Sequence, residues 1–172
     1  ITSKGTQATV ADYLSLLEEA GLVAPVRKYS KAKVRERSSP PKLIILNQAF
    51  LSTFDSSAPP KTGKEPERFG RWLENACLSF AWNSGQEVHY WRKEPLEVDL
   101  ITEGSWGKWA IEVKSGGYVL SDLTGLFDFC KREKGFRPLI ICAKGKEKTG
   151  LQAGIKTISW REFFVRGLAA DE

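Results

Sequence analysis

The sequence predicts an α/β fold in which a mixed sheet is covered by helices. Three observations carry this. Segments of helical apolar period alternate with short strand-like runs over most of the 172 residues. The run Pro138–Ala143 is continuously apolar between Gly135 and Gly145, as in a strand buried on both faces. A hydrophobic fraction of 41% with 27% charged residues is a globular balance that can fill a core around such a sheet.

The first helix is expected over Thr9–Ala20. Val10, Tyr13, Leu14 and Leu17, with Leu16 beside them, form its apolar stripe, and Gly21 stops it. Leu22–Tyr29 is strand-like. Six basic residues between Arg27 and Arg37 then face one acid, Glu36, before Pro40-Pro41 and the apolar stretch Leu43–Leu46. Helix, strand, basic loop, strand is the order of the back half of a winged helix-turn-helix, whose loop lies along phosphates. On that reading Lys28, Lys31, Lys33, Arg35 and Arg37 contact nucleic acid. Only one helix precedes the strand, so a small packing module with a solvated basic loop is the other reading.

Ser52–Pro66 holds Ser56-Ser57, Pro59-Pro60, Gly63 and Pro66, and reads as a linker. The expected organisation is therefore a partial winged-helix-like segment at 1–55, a linker at 56–66 and the main domain at 67–172. Within that domain Glu67–Trp82 is a helix with Phe69, Leu73, Ala76, Cys77, Phe80 and Ala81 on one face. Strands follow at Gln86–Trp91, Glu97–Thr102 and Trp109–Lys114. Ser121–Glu133 is a helix with Leu123, Leu126, Phe127 and Cys130 inward. Pro138–Ala143 and Ile155–Ile158 are strands. Ser159 with Glu162 makes an S-x-x-E capping box that opens a last helix, ending at Gly167. The order is α-β-β-β-α-β with a β-α addition.

Two of these strands carry charge where a core would want apolar groups. In Glu97-Val98-Asp99-Leu100-Ile101, strict alternation puts Asp99 on one face and both Val98 and Leu100 on the other. In Ala110-Ile111-Glu112-Val113-Lys114, Glu112 and Lys114 share a face, about 6.6 Å apart at ~3.3 Å per residue, with Ile111 and Val113 behind them. The link Thr102–Lys108 suits a hairpin that brings Asp99 beside Glu112. Two carboxylates and an ammonium on one patch are the equipment for holding a divalent cation at a phosphodiester. They read equally as a cross-strand ion-pair cluster worth ~0.2–1 kcal/mol per pair.

The remaining composition narrows the context. The longest apolar runs, Leu43–Leu46 and Leu139–Ala143, are far short of the ~20 residues of a membrane helix, so no membrane role is expected. Cys77, Cys130 and Cys142 are widely spaced among apolar neighbours and read as buried reduced thiols in a cytoplasmic protein. A net charge of +5 and a pI near 9.1 favour a polyanionic partner. With no Met and with Ile at position 1, the chain is expected to be the later part of a longer protein.

An αβββαβ core with Asp99 and then Glu112-x-Lys114 resembles the PD-(D/E)XK nuclease superfamily over roughly Glu67–Cys142. That group contains restriction endonucleases and Holliday-junction resolvases. The resemblance implies a restriction-endonuclease-like fold. It also implies Mg²⁺ (or Mn²⁺) held by Asp99, Glu112 and the carbonyl of Val113, with Lys114 at the attacking water or the phosphorane. Glu74, in Gly70-Arg71-Trp72-Leu73-Glu74, matches the helical acid that often joins such sites. Arg92, after Tyr90-Trp91, is a further candidate for a phosphate contact.

Together with the pattern Thr-Val-x-x-Tyr-Leu-x-x-Leu-x-x-x-Gly-Leu-Val over Thr9–Val23, these motifs are similar to the C-terminal region of a prokaryotic family of AAA-type ATPases. There a P-loop module precedes a winged-helix-like segment and a nuclease-like domain. Asn47 stands where that family usually has Asp. The resemblance implies two partners, DNA and an N-terminal ATPase module of the same polypeptide. Two functions are expected from different classes: a Mg²⁺-dependent DNA endonuclease, or an inactive nuclease fold that binds DNA or a protein for the ATPase.

Overall fold

A computed structural model of the chain describes residues 7–31, 40–54, 60 and 64–168. Among these residues are seven strands and six α-helices. In chain order they are α1 (Gln7–Glu19), β1 (Val23–Lys28), β2 (Lys42–Ile45), α2 (Gln48–Phe54), α3 (Pro66–Asn83), β3 (Glu87–Lys93) and β4 (Leu96–Glu103). Then come β5 (Trp109–Lys114), α4 (Thr124–Arg132), β6 (Arg137–Cys142), α5 (Lys148–Gln152), β7 (Lys156–Ser159) and α6 (Trp160–Arg166). A 3₁₀ turn at Leu120–Leu123 leads into α4.

All seven strands form one mixed sheet in the order β2-β1-β3-β4-β5-β6-β7. Strands β1, β3, β5, β6 and β7 run one way, and β2 and β4 run against them. The hairpin β1–β2 is part of this sheet, because Arg27 and Lys28 of β1 pair with His89 and Tyr90 of β3. Much of the expected linker, including residues 55–59 and 61–63, lies outside the described residues, and its expected start at Ser52 falls inside α2.

Each sheet face has its own core. On the first, Phe69, Leu73 and Cys77 of α3, spaced i, i+4, i+8, meet Leu100, Ile111, Leu139 and Ile141, with Phe163 of α6 beside them. On the second, Leu126 and Phe129 of α4 cover Val98, Ile101, Ala110 and Ile140. Strand β6 contributes to both cores, and Leu139–Cys142 are all fully buried, as the apolar run Pro138–Ala143 predicts. In α4 the inward face carries Leu126 and Phe129, whereas Phe127, expected inward, is exposed. The helix begins only at Thr124, so its phase is set by Leu126 and its i+3 neighbour Phe129.

Strict alternation fails in β4. Val98 packs into the second core and Leu100 into the first, so these two do not share the face assigned to them. The cause is a bulge. His89 pairs with Ile101 and Trp91 with Val98, which leaves both Asp99 and Leu100 opposite Tyr90. One extra residue in a strand reverses the facing of everything beyond it. At the far end Ser159 caps α6 as expected, its hydroxyl accepting the Glu162 N–H at 3.1 Å, and α6 ends at Gly167.

Candidate metal centre

The bulge re-aims Asp99. Strands β4 and β5 pair from Thr102↔Trp109 to Leu100↔Ile111, and the ladder ends there. The Val113 N–H, next in line, donates instead to Asp99 Oδ2 at 2.8 Å. A side-chain oxygen thus takes the place of a strand carbonyl, and the carboxylate sits in the opening between the strands. Burial, then the charges of Glu112 and Glu74, push its carboxyl well above the ordinary aspartate range. The Val113 hydrogen bond and Lys114 pull the other way without balancing them.

On β5, Ile111 and Val113 pack with the first core, so alternation sends Glu112 and Lys114 toward the second face. Lys114 Nζ donates to Glu112 Oε1 at 2.8 Å. Glu112 is 7% exposed, and its other oxygen, Oε2, is buried with no hydrogen-bond partner. Burial raises the Glu112 carboxyl; Lys114 opposes this, and the charges of Glu97 and Glu74 add to it. For Lys114 burial works against the ammonium, but Glu112 and Asp99 outweigh it and the pKa lies above the usual lysine value.

On the first face α3 brings Glu74. One carboxylate oxygen from each of Glu74, Glu97 and Asp99 lies within 4.8 Å of the others. Glu97 owes its place to a close helix–strand approach. A Cβ on Gly125 would stand 2.1 Å from the Glu97 carbonyl oxygen, so α4 can rest on this part of β4 only with glycine there. Between Glu74 and Glu97 sits a cation of the protein's own. Lys42 Nζ donates to Glu74 Oε1 at 3.1 Å and to Glu97 Oε1 at 2.5 Å. Burial disfavours that ammonium as well, and the two acids again raise its pKa.

Asp99 therefore stands at the junction of two groups, Glu74–Lys42–Glu97 on one side and Glu112–Lys114 on the other. Four carboxylates meet the ammonium groups of Lys42 and Lys114, with the Arg92 guanidinium 3.8 Å from Glu97, so the acids outnumber the cations by one. The arrangement offers hard oxygen donors with a fixed ammonium beside them, the donor set that suits Mg²⁺ or Mn²⁺. The Glu112 carboxyl is not part of the group within 4.8 Å; it couples to Asp99 through its charge.

Of the basic candidates, Lys28, Lys31 and Arg92 lie among the described residues. Arg92, exposed at the end of β3, pairs with Glu94 at 2.7 Å and lies 3.8 Å from Glu97 Oε2. Lys31 pairs with Glu133 at 2.8 Å. Lys28 ends β1, half-buried. Lys33, Arg35 and Arg37 lie outside the described residues.

Sequence reasoning missed Glu97 and Lys42. Glu97 had a readable signal, since it lies two residues before Asp99 in the same strand. Lys42 had none: its partners are 32 and 55 residues away.

Residues 69–163, more than half of the chain, match the model of a family described as a domain of unknown function, DUF4143. Among solved structures the chain is similar to protein VC1899 from Vibrio cholerae, at 14% identity and a TM-score of 0.39. That match covers 98% of this chain and 47% of the other, so the chain spans about half of that protein's length. No curated protein matches the chain.

Proposed function

We propose that this chain, which belongs to the DUF4143 family of domains of unknown function, carries a Mg²⁺- or Mn²⁺-dependent nuclease site of restriction-endonuclease-like type, acting on DNA within a larger AAA-type ATPase. One observation carries the reading: Asp99 is drawn into the opening between β4 and β5, next to the Glu112–Lys114 pair. A purely structural ion-pair cluster would balance its charges. This one has one acid more than its cations and an unpartnered, buried Glu112 oxygen. Those features, and an all-oxygen donor set, fit a divalent cation.

Asp99 and Glu112 are the residues that would hold the ion. When bound, it polarises a phosphoryl oxygen and acidifies a water. The chain's own groups do the rest. The Val113 N–H keeps the Asp99 carboxylate aimed along one direction. Glu112 holds the Lys114 ammonium at 2.8 Å, ready to meet charge that develops on phosphate. Glu74 and Glu97 supply further negative charge behind Asp99.

The test is cleavage of supercoiled, linear and single-stranded DNA with Mg²⁺ or Mn²⁺. Cleavage should need the ion, vanish in Asp99→Asn and fall by about 10²–10³ in Lys114→Met, the usual loss for one transition-state donor. Undiminished cutting by Lys114→Met, or none by the chain on any substrate, overturns the reading.

A second reading has one observation in its favour: Lys42 already occupies part of the acidic cluster. On that reading the fold is a non-catalytic module for DNA or for a protein partner. It would bind DNA without a metal requirement, with an affinity that falls steeply as salt rises.

A further inference from the structure

Lys42 does not sit as an ordinary surface lysine does. Its backbone is fixed twice over. It pairs with Val26 as the first residue of β2, and Asn75 of α3 makes two hydrogen bonds to Ile45 at the other end of that strand. Its side chain is 30% exposed and runs past the Tyr90 ring, with Nζ 5.0 Å from the ring centre. The ammonium then meets two acids from two separate elements, Glu74 of α3 and Glu97 of β4. The other oxygen of Glu97 faces Arg92 at 3.8 Å. Lys114 is engaged with Glu112. Without Lys42, the oxygens of Glu74, Glu97 and Asp99 would form a group of three acids within 4.8 Å of one another.

We propose that Lys42 is a tethered counter-cation of the centre: it takes the position between Glu74 and Glu97 that a second divalent ion would otherwise take, and leaves Asp99 and Glu112 to hold a single exchangeable ion. The inference rests on the nuclease reading above for that single ion. The occupancy of the Glu74–Glu97 position stands on its own geometry. Lys42 is thus a positioning residue. It holds two acids in place behind Asp99 and ties the edge hairpin β1–β2 to the centre, so that the hairpin and the charge of the site are one unit.

Counting bound Mn²⁺ by electron paramagnetic resonance tests this without reference to activity. The native chain should bind one Mn²⁺ and Lys42→Met two, whereas Lys42→Arg, which keeps the charge, should stay at one. In the double variant Lys42→Met/Glu97→Gln the added ion should be lost; if it persists, it sits elsewhere and the inference fails. Lys42→Gln repeats the measurement should the apolar variant not fold. The same count in Lys42→Met as in the native chain overturns the inference and leaves the nuclease reading intact. No ion in the native chain but one in Lys42→Met supports the inference and overturns the nuclease reading. No ion in either overturns both.

Discussion

The Asp99 carboxylate accepts the Val113 N–H at 2.8 Å, where a neighbouring strand would ordinarily offer a backbone carbonyl. This one substitution of side chain for main chain keeps the β5 backbone satisfied while β4 and β5 part company, and it leaves a charged oxygen in the gap. The expected consequences follow from that charge and from the elements that crowd it.

Asp99 and Glu112 both have carboxyls raised above their ordinary values. The native state therefore keeps protons that the unfolded chain has released. Stability then falls as pH rises from the ordinary carboxylate range through the raised folded values. Metal-free protein should melt higher in mild acid than at neutral pH. Asp99→Asn keeps an acceptor for Val113 but removes the charge among Glu112, Glu74 and Glu97. At neutral pH it should gain ~1 kcal/mol, or about 2–4 °C in melting temperature for a chain of this size. Thermal melts across pH check this, and a steeper slope in the variant would count against it.

Mn²⁺ or Mg²⁺ should reverse that ordering. An ion that binds only the folded state at 100 times its dissociation constant adds ~2.7 kcal/mol, or about 5–10 °C here. Calorimetric scans with and without the ion should show the rise in the native chain and its loss in Asp99→Asn. An equal rise in both would place the ion elsewhere.

Gly125→Ala puts a methyl 2.1 Å from the Glu97 carbonyl oxygen. Backbone cannot yield as a flexible side chain can, so α4 must lift from β4. The expected cost is ~1–3 kcal/mol, from overpacking. Chemical denaturation measures it. A variant as stable as the native protein would show that α4 does not rest on Glu97.

Asn75→Ala removes both hydrogen bonds to Ile45, which hold the β2 edge strand to α3. The loss is about 1–3 kcal/mol if the Ile45 groups stay unsatisfied. Because β2 is an edge strand, faster amide exchange should appear first at Ile45 and its neighbours in β2, before the central strands. Unchanged exchange at Ile45 would mean that pairing with β1 alone secures the strand.

How far the centre could be read in advance differs residue by residue. Asp99, Glu112 and Lys114 stood out because charge at strand positions contradicts the local apolar pattern. The Glu112/Lys114 spacing on one face holds in the fold, since β5 has no irregularity in its pairing with β6. Glu74 was found through its motif on the helix that packs over β4 and β5. Alternation gives Leu100 the same face as Val98, and nothing in its own neighbourhood announces the bulge that separates them. That irregularity exists only in the register of β4 against β3.

Strand identity, the inward face of α3 and the buried run at Leu139–Cys142 were already contained in the order of side chains, because each depends on periods of a few residues along one chain. Register and long-range charge pairing are different. Lys42 meets Glu74 and Glu97 across 32 and 55 residues, and Asp99 enters its gap through a mismatch between two strands. Those relations are properties of how elements lie against one another, and no local pattern encodes them.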